Sequence, residues 1–177
     1  MAKDKKDSVA KVLEMIQEQS VEYVDLRFTD PRGKWQHTAQ HISTIDEDAF
    51  RDGIMFDGSS IAGWKAINES DMILMPDASS ATMDPFAAKP QLILICDIIE
   101  PSTGQSYSRD PRSTAKKAEA YVASTGIGDA ALFGAEAEFF IFDSVKFGTG
   151  GNYGHYSLDS IEGPGANMKD YPEGNMG

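Results

Sequence analysis

Two glutamates set two residues apart, Glu136 and Glu138 in the run FGAEAEFFIFD, have the types and spacing in this chain that most invite chemistry. The surrounding stretch, Ala131 to Phe142, is apolar and rich in aromatics, and it reads as a buried strand. Successive strand side chains point to opposite faces, so Glu136 and Glu138 would share one face, about 7 Å apart at the backbone. Like charges side by side in an apolar setting are costly unless one is protonated or a cation neutralises them. A pair of divalent metals, about 3.5–4 Å apart in phosphoryl-transfer sites, would suit that separation. A half-exposed strand with an acidic outer face would produce the same letters, and spacing leaves both readings open.

Asp57 stands in a second unusual segment, Met55 to Asp77, which is dense in Gly, Ser and Asp yet carries Phe56, Ile61, Trp64 and Ile67. That mixture describes a structured loop pinned by apolar anchors. Asp57-Gly58-Ser59 is by itself ordinary turn chemistry. The other reactive residue types form no constellation. His37 and His41 would lie about 13 Å apart on one strand, too far to share a metal, and His155 stands alone. The run Gly148 to Gly154 lacks the Lys-Ser/Thr ending of a phosphate loop and reads as a surface loop. Cys96, the single cysteine, lies in the apolar run QLILICDII and reads as a small buried hydrophobe in a reducing compartment.

The elements that would position these residues are legible in outline. Val9, Val12, Leu13 and Ile16 make one apolar stripe on a helix from Asp7 to Gln19. A strand through Val24, Leu26 and Phe28, a turn at Asp30-Pro31-Arg32-Gly33 and a return from Lys34 to His41 form a hairpin. Thr44 and Glu47 fit a capping box for a short helix ending at Gly53. Met72 to Met75 and Leu92 to Ile99 read as strands, the second central because it is nearly all apolar. The polar stretch Pro101 to Ser106 offers a boundary, giving domains 1–102 and 110–177. Asp110 caps a helix with Pro111 at its first position and Gly126 at its close. After Asp143 no periodicity is evident. One helix, one strand and a long irregular tail cannot bury an apolar face, so the second domain reads as unfinished and the chain as a fragment.

Composition narrows the function classes. With 41% hydrophobic and 25% charged residues the chain has a globular makeup, and its net charge of −12 argues against nucleic acid. No apolar stretch reaches the roughly 18 residues of a membrane span, which makes the cytoplasm the expected location. Asn68-Glu69-Ser70 matches a glycosylation sequon without meaning in that compartment.

Taken in order, VDLRFTD (Val24 to Asp30), MFDGSS, INESDMILMPD, DPF, RDPRS, LFGAEAEFFIFD and the stretch from Ser157 to Gly163 resemble bacterial type I glutamine synthetases. The resemblance runs through nearly the whole chain. It departs where that family often has proline, at Ala135 and Ala137, both on the face opposite the glutamates, and in length, since family members are more than twice as long. It implies an α+β chain: a β-grasp amino-terminal domain followed by the incomplete start of an α/β catalytic domain. It implies ATP-dependent ligation of ammonium to glutamate through a γ-glutamyl phosphate, with Mg²⁺ or Mn²⁺ at two or more sites. Glu138 would serve the metal nearer glutamate and Glu136 the one at the ATP phosphates. Asp57 and Ser60 would hold ammonium across a subunit boundary, where Asp57 would take its proton, with Trp64 packed at the neighbour's site. It further implies a homo-oligomer, a dodecamer of two hexameric rings. Most ATP-binding residues would lie beyond Gly177, so the 177 residues alone are expected to be inactive. The alternatives are a non-catalytic acidic β-grasp module, or a relative joining another amine to glutamate.

Overall fold

The computed structural model describes residues 2–161, with side chains from residue 7 onward. It divides into two compact units, one ending at Ala131 and one starting at Leu132. Residues 162–177, the last part of the expected catalytic-domain start, lie outside the described residues.

The first unit is α+β. Helix α1, Ala2–Glu18, begins earlier than its apolar stripe foretold. The stripe is as expected: Val12 and Ile16 are buried, and Val9 and Leu13 pack beside them. Full burial of each such side chain stabilises by about 1.5–3 kcal/mol. A seven-stranded sheet receives this face, with the order β2-β1-β6-β4-β3 and short β5 and β7 paired to β6. Strands β1 (Tyr23–Thr29) and β2 (Trp35–His41) form the expected hairpin. Asp30 closes its turn, accepting from the amides of Arg32 and Lys34 and from Gln36 Nε2 at 2.9–3.0 Å.

Strand β6, Gln91–Glu100, is central, parallel to β1 and antiparallel to β4 (Asp71–Pro76). Its even positions Leu92, Leu94, Cys96 and Ile98 are all buried, the period-2 signature of a strand with one face on the core. Burial pushes the Cys96 thiol well above its usual range, so it is inert as a nucleophile. β5 is Thr82–Met83 and β7 is Gln105–Ser106; β7 turns the polar stretch after β6 back onto that strand.

Helix α2, Glu47–Asp52, corrects one expectation. Its cap is Asp46, which accepts from the amides of Asp48 and Ala49, while Thr44 sits in the preceding turn. An aspartate one residue before the helix competes directly for the same amides, and it is the better placed. A further strand, β3 (Ile54–Asp57), lies hidden at the head of the segment read as a loop, paired antiparallel with β4. Helix α3, Pro111–Thr125, has the expected ends, with Asp110 as cap and Gly126 left-handed at φ 68°. Asp110 is fully buried and also accepts from the Ile98 amide, which bolts the start of α3 to β6.

The second unit departs most from the sequence reading. The expected strand at Ala131 to Phe142 is irregular chain, exposed along its length. A single extended segment gains nothing without a paired neighbour, and none pairs with it among the described residues. The glycine-rich stretch is instead a regular hairpin, β8 (Ser144–Gly150) and β9 (Tyr153–Asp159), in the register Val145↔Leu158 and Phe147↔Tyr156. Those four side chains share one face and are exposed. The two-residue Gly151-Asn152 connection was a legible hairpin signal masked by the surrounding glycines.

Candidate functional site

Asp57 is the last residue of β3, at the edge of the sheet, and opens a tight turn that continues through Ser60. Its Oδ1 accepts from the Ser59 amide at 2.8 Å and the Ser59 hydroxyl at 2.6 Å, and its Oδ2 from the Ser60 hydroxyl at 3.2 Å. Gly58 closes the base of the loop, donating its amide to the Ser70 carbonyl at 2.7 Å. Only glycine fits there: an added Cβ would come within 2.5 Å of Met72 Cγ. The sheet edge, the glycine and the two serines thus fix where the carboxylate points.

The carboxyl of Asp57 is held below the usual aspartate range. The Ser59 hydroxyl contributes most, then the Ser59 amide, with Ser60 and Ser70 adding to this and desolvation opposing it. The side chain is exposed in the single chain, at a sheet edge rather than inside the core. No ion pair engages it among the described residues. An ionised carboxylate that accepts from two hydroxyls and pairs with no basic side chain among the described residues is chemically suited to take a small cation. In the exposed state it accepts a proton poorly.

The structure therefore brings Asp57 and Ser60 together, and it forms the Asp57-Gly58-Ser59 turn that the sequence spells. The signal was present: a serine two residues after an aspartate is the usual donor of an Asx turn.

Trp64 is packed within its own unit. It is 5% exposed and lies against Phe28, Phe56 and Tyr107 at ring-centroid distances of 5.5, 6.1 and 5.5 Å. The apolar surface of an indole is most stable in such an aromatic nest, so Trp64 anchors the loop that follows Asp57. Its Nε1 is buried and has no hydrogen-bond partner among the described residues. Two open grooves flank that loop, one of about 460 Å³ against Tyr107 and Arg109 and one of about 650 Å³ against Pro101 and Ser102. They share Lys65 and Glu100, which form an ion pair.

Glu136 and Glu138 lie in the second unit, both exposed on irregular chain, so the shared strand face that would set their separation is not formed. Their carboxylate oxygens are the right donors for a hard divalent cation. Two such ligands do not make a site, and no group of three or more His, Cys, Asp or Glu is placed to hold a metal among the described residues.

Comparison with known proteins accounts for most of the chain. A family model described as the glutamine synthetase beta-Grasp domain matches residues 20–101, and one for the glutamine synthetase catalytic domain matches residues 108–173. A glutamine synthetase of Azospirillum brasilense is 64% identical over 169 residues, covering 96% of this chain and 36% of that protein. One from Escherichia coli (strain K12) is 54% identical over 170 residues, with the same coverage, 96% and 36%. The cryo-EM structure of Plasmodium falciparum glutamine synthetase superposes with a TM-score of 0.64 at 25% identity, over 84% of this chain and 29% of that one. The chain thus spans 36% of the length of these two curated relatives.

Proposed function

The chain belongs to the glutamine synthetase family, and we propose that it is the amino-terminal part of an ATP-dependent glutamate–ammonia ligase. The complete protein would convert glutamate, ammonium and ATP into glutamine, ADP and phosphate through a γ-glutamyl phosphate. The observation that carries this reading is the turn at Asp57: an ionised, exposed carboxylate with hydroxyl donors around it, held at a sheet edge in a member of this family.

Asp57 and Ser60 would bind ammonium by charge and hydrogen bonding. Taking its proton asks for more than the exposed turn provides, since a carboxyl with a depressed pKa is a weak base. Covering the turn with a second subunit would desolvate the carboxylate and raise its pKa toward that task. This supports a site completed across a subunit boundary, and hence a homo-oligomer; we propose the dodecamer of two hexameric rings. Trp64 would act beneath that boundary, as an anchor for the loop that meets it.

Glu136 and Glu138 would each give carboxylate oxygens to Mg²⁺ or Mn²⁺, together with ligands from the rest of the protein. Bound there, the ions would neutralise charge on the phosphates and the acyl phosphate. The proposed domains are residues 1–102 and 110–177, the latter as the start of the catalytic domain, and the proposed location is the cytoplasm. No helix among the described residues is long and apolar enough to cross a membrane.

The test is direct. Glutamine formation from glutamate, ammonium and ATP should be seen with the complete protein carrying this sequence, and it should be absent from the isolated 177 residues. A complete protein that uses an alkylamine but not ammonium would favour the amine-ligating relative. One that turns over neither would favour a binding module.

A further inference from the structure

The loop that leaves the Asp57 turn is held at its far side by a residue with no part in the chemistry above. Arg109 Nη1 donates to two consecutive backbone carbonyls, Gly63 at 2.6 Å and Trp64 at 3.2 Å. Gly63 has φ 86°, a left-handed conformation that turns the chain sharply where the guanidinium grips it. Arg109 itself stands between two fixed points. Tyr107 donates its amide to the Ile98 carbonyl of β6 at 2.8 Å, and Asp110 is bolted to the same strand. A second tie runs alongside: Lys65 pairs with Glu100 and lies 5.5 Å over the Tyr107 ring.

An exposed arginine on the surface often contributes nothing measurable. Two features separate this one from that case. Its acceptors are neutral carbonyls of one turn, so it sets a backbone direction rather than balancing a charge. And the loop already has apolar anchors in the buried Ile61 and Trp64, so the guanidinium is not needed to keep it folded. The anchors fix where the loop sits, while Arg109 fixes how it is oriented.

Ile61, the first anchor, directly follows Ser60. Within the Asp57 turn, Ser59 is locked twice, by its amide and its hydroxyl, whereas Ser60 has the single, longest contact at 3.2 Å. Any drift of the loop is therefore felt first at the Ser60 hydroxyl and at Asp57 Oδ2. We infer that Arg109 is a positioning residue for the cation site, setting the loop so that Ser60 and Asp57 present a preformed pair of oxygens to ammonium. This inference rests on the ligase reading for its substrate, though the clamp itself does not.

The test uses Arg109→Met and Arg109→Lys in the complete protein, with two readouts. In steady-state kinetics Arg109→Met should raise the KM for ammonium about tenfold while kcat and the KM values for glutamate and ATP change less than about threefold, and Arg109→Lys should recover part of the loss. In hydrogen exchange the amides of residues 61–66 should exchange faster in Arg109→Met than in the parent, with α3 and β6 unchanged. An unchanged KM for ammonium, or an equal fall in every kinetic parameter, overturns the positioning role. If the parent protein makes no glutamine, the ligase reading is what has failed, and exchange alone then decides: unaltered protection of 61–66 overturns the clamp. Should Arg109→Met fail to fold, Arg109→Lys carries both readouts.

Discussion

The turn at Asp57 and the turn at Asp77 are written in nearly the same letters, Asp-Gly-Ser-Ser and Asp-Ala-Ser-Ser. Both follow a strand, both wind into one short 3₁₀ turn, and in both the aspartate accepts from the amide and hydroxyl of the serine two residues on. Beyond that their fates differ. At the second turn Arg112 of α3 occupies Asp77 Oδ2, and Ser80 bridges the Asp77 carbonyl at 2.7 Å to the Ile95 amide at 2.8 Å. At the first turn Ser60 faces Asp57 Oδ2, and no cation is paired with it among the described residues. Local sequence sets the turn. What arrives from elsewhere in the fold decides whether the carboxylate is a rivet or an open ligand.

The largest effect that would sharpen this contrast is on turnover. In the complete protein Asp57→Asn should lower glutamine formation by about 10²–10⁴-fold, the range for loss of a positioned proton acceptor, with little change in melting temperature. Asp77→Asn should leave activity nearly intact. If the two substitutions cost activity equally, the division into rivet and ligand is wrong.

Stability should show the reverse order. Asp77→Ala removes a turn cap and leaves the Arg112 guanidinium, which also binds Asp97, without one of its carboxylates. Together these should cost about 2–3 kcal/mol in denaturant titration of the complete protein. Asp57→Ala loses the cap alone and should cost about 1 kcal/mol.

The second letters of the two turns make a smaller and more local test. Ala78 is accommodated in the core, whereas a Cβ at Gly58 would meet Met72 Cγ at 2.5 Å and the Ser70 carbonyl at 3.1 Å. Gly58→Ala should therefore destabilise by about 1–2 kcal/mol through overpacking, while Ala78→Gly should cost about 0.5–1 kcal/mol through backbone entropy and lost packing. Thermal melts of both variants check the pair. A neutral Gly58→Ala would show that Met72 can yield.

The same contrast explains what the sequence revealed and what it hid. The apolar stripe of α1, the β1–β2 hairpin and both ends of α3 were legible, because a stripe, a Pro-Gly turn and an Asp-Pro cap are set by residues within a few positions of each other. The Asx turn at Asp57 was legible for the same reason. Arg112 reaching Asp77 across 35 residues was not, nor was Arg109 reaching Gly63 across 46. Both are products of how α3 and its lead-in dock on β6. At the second unit the failure ran the other way. Alternating Val145 and Phe147 against Tyr156 and Leu158 spelled a hairpin that its glycines obscured, and the aromatic run around Glu136 spelled a strand that has no partner to pair with among the described residues. A strand's propensity is local, but its ladder is not.

Acid separates the two turns by a narrower margin, and the sign follows from the direction of their shifts. Asp77 is pushed up by burial, but the Ser79 hydroxyl and amide and the nearby Arg112 outweigh this and hold its carboxyl below the usual range; Asp57 is held below it by Ser59. A carboxyl depressed in the folded state contributes stability that is fully present above its unfolded pKa of about 3.9 and is lost as pH falls through the folded value. The melting-temperature gap between the parent protein and Asp77→Asn should therefore be constant from neutral pH down to about 5 and close progressively below about 4. For Asp57→Asn the gap should close over the same window from a smaller starting value, because its carboxylate is exposed and has no guanidinium to lose. A gap that widened on acidification would mean that Asp77 is held in its protonated form at the Arg112 contact, and the rivet would then be a hydrogen bond from the charged guanidinium to a neutral carboxyl rather than an ion pair.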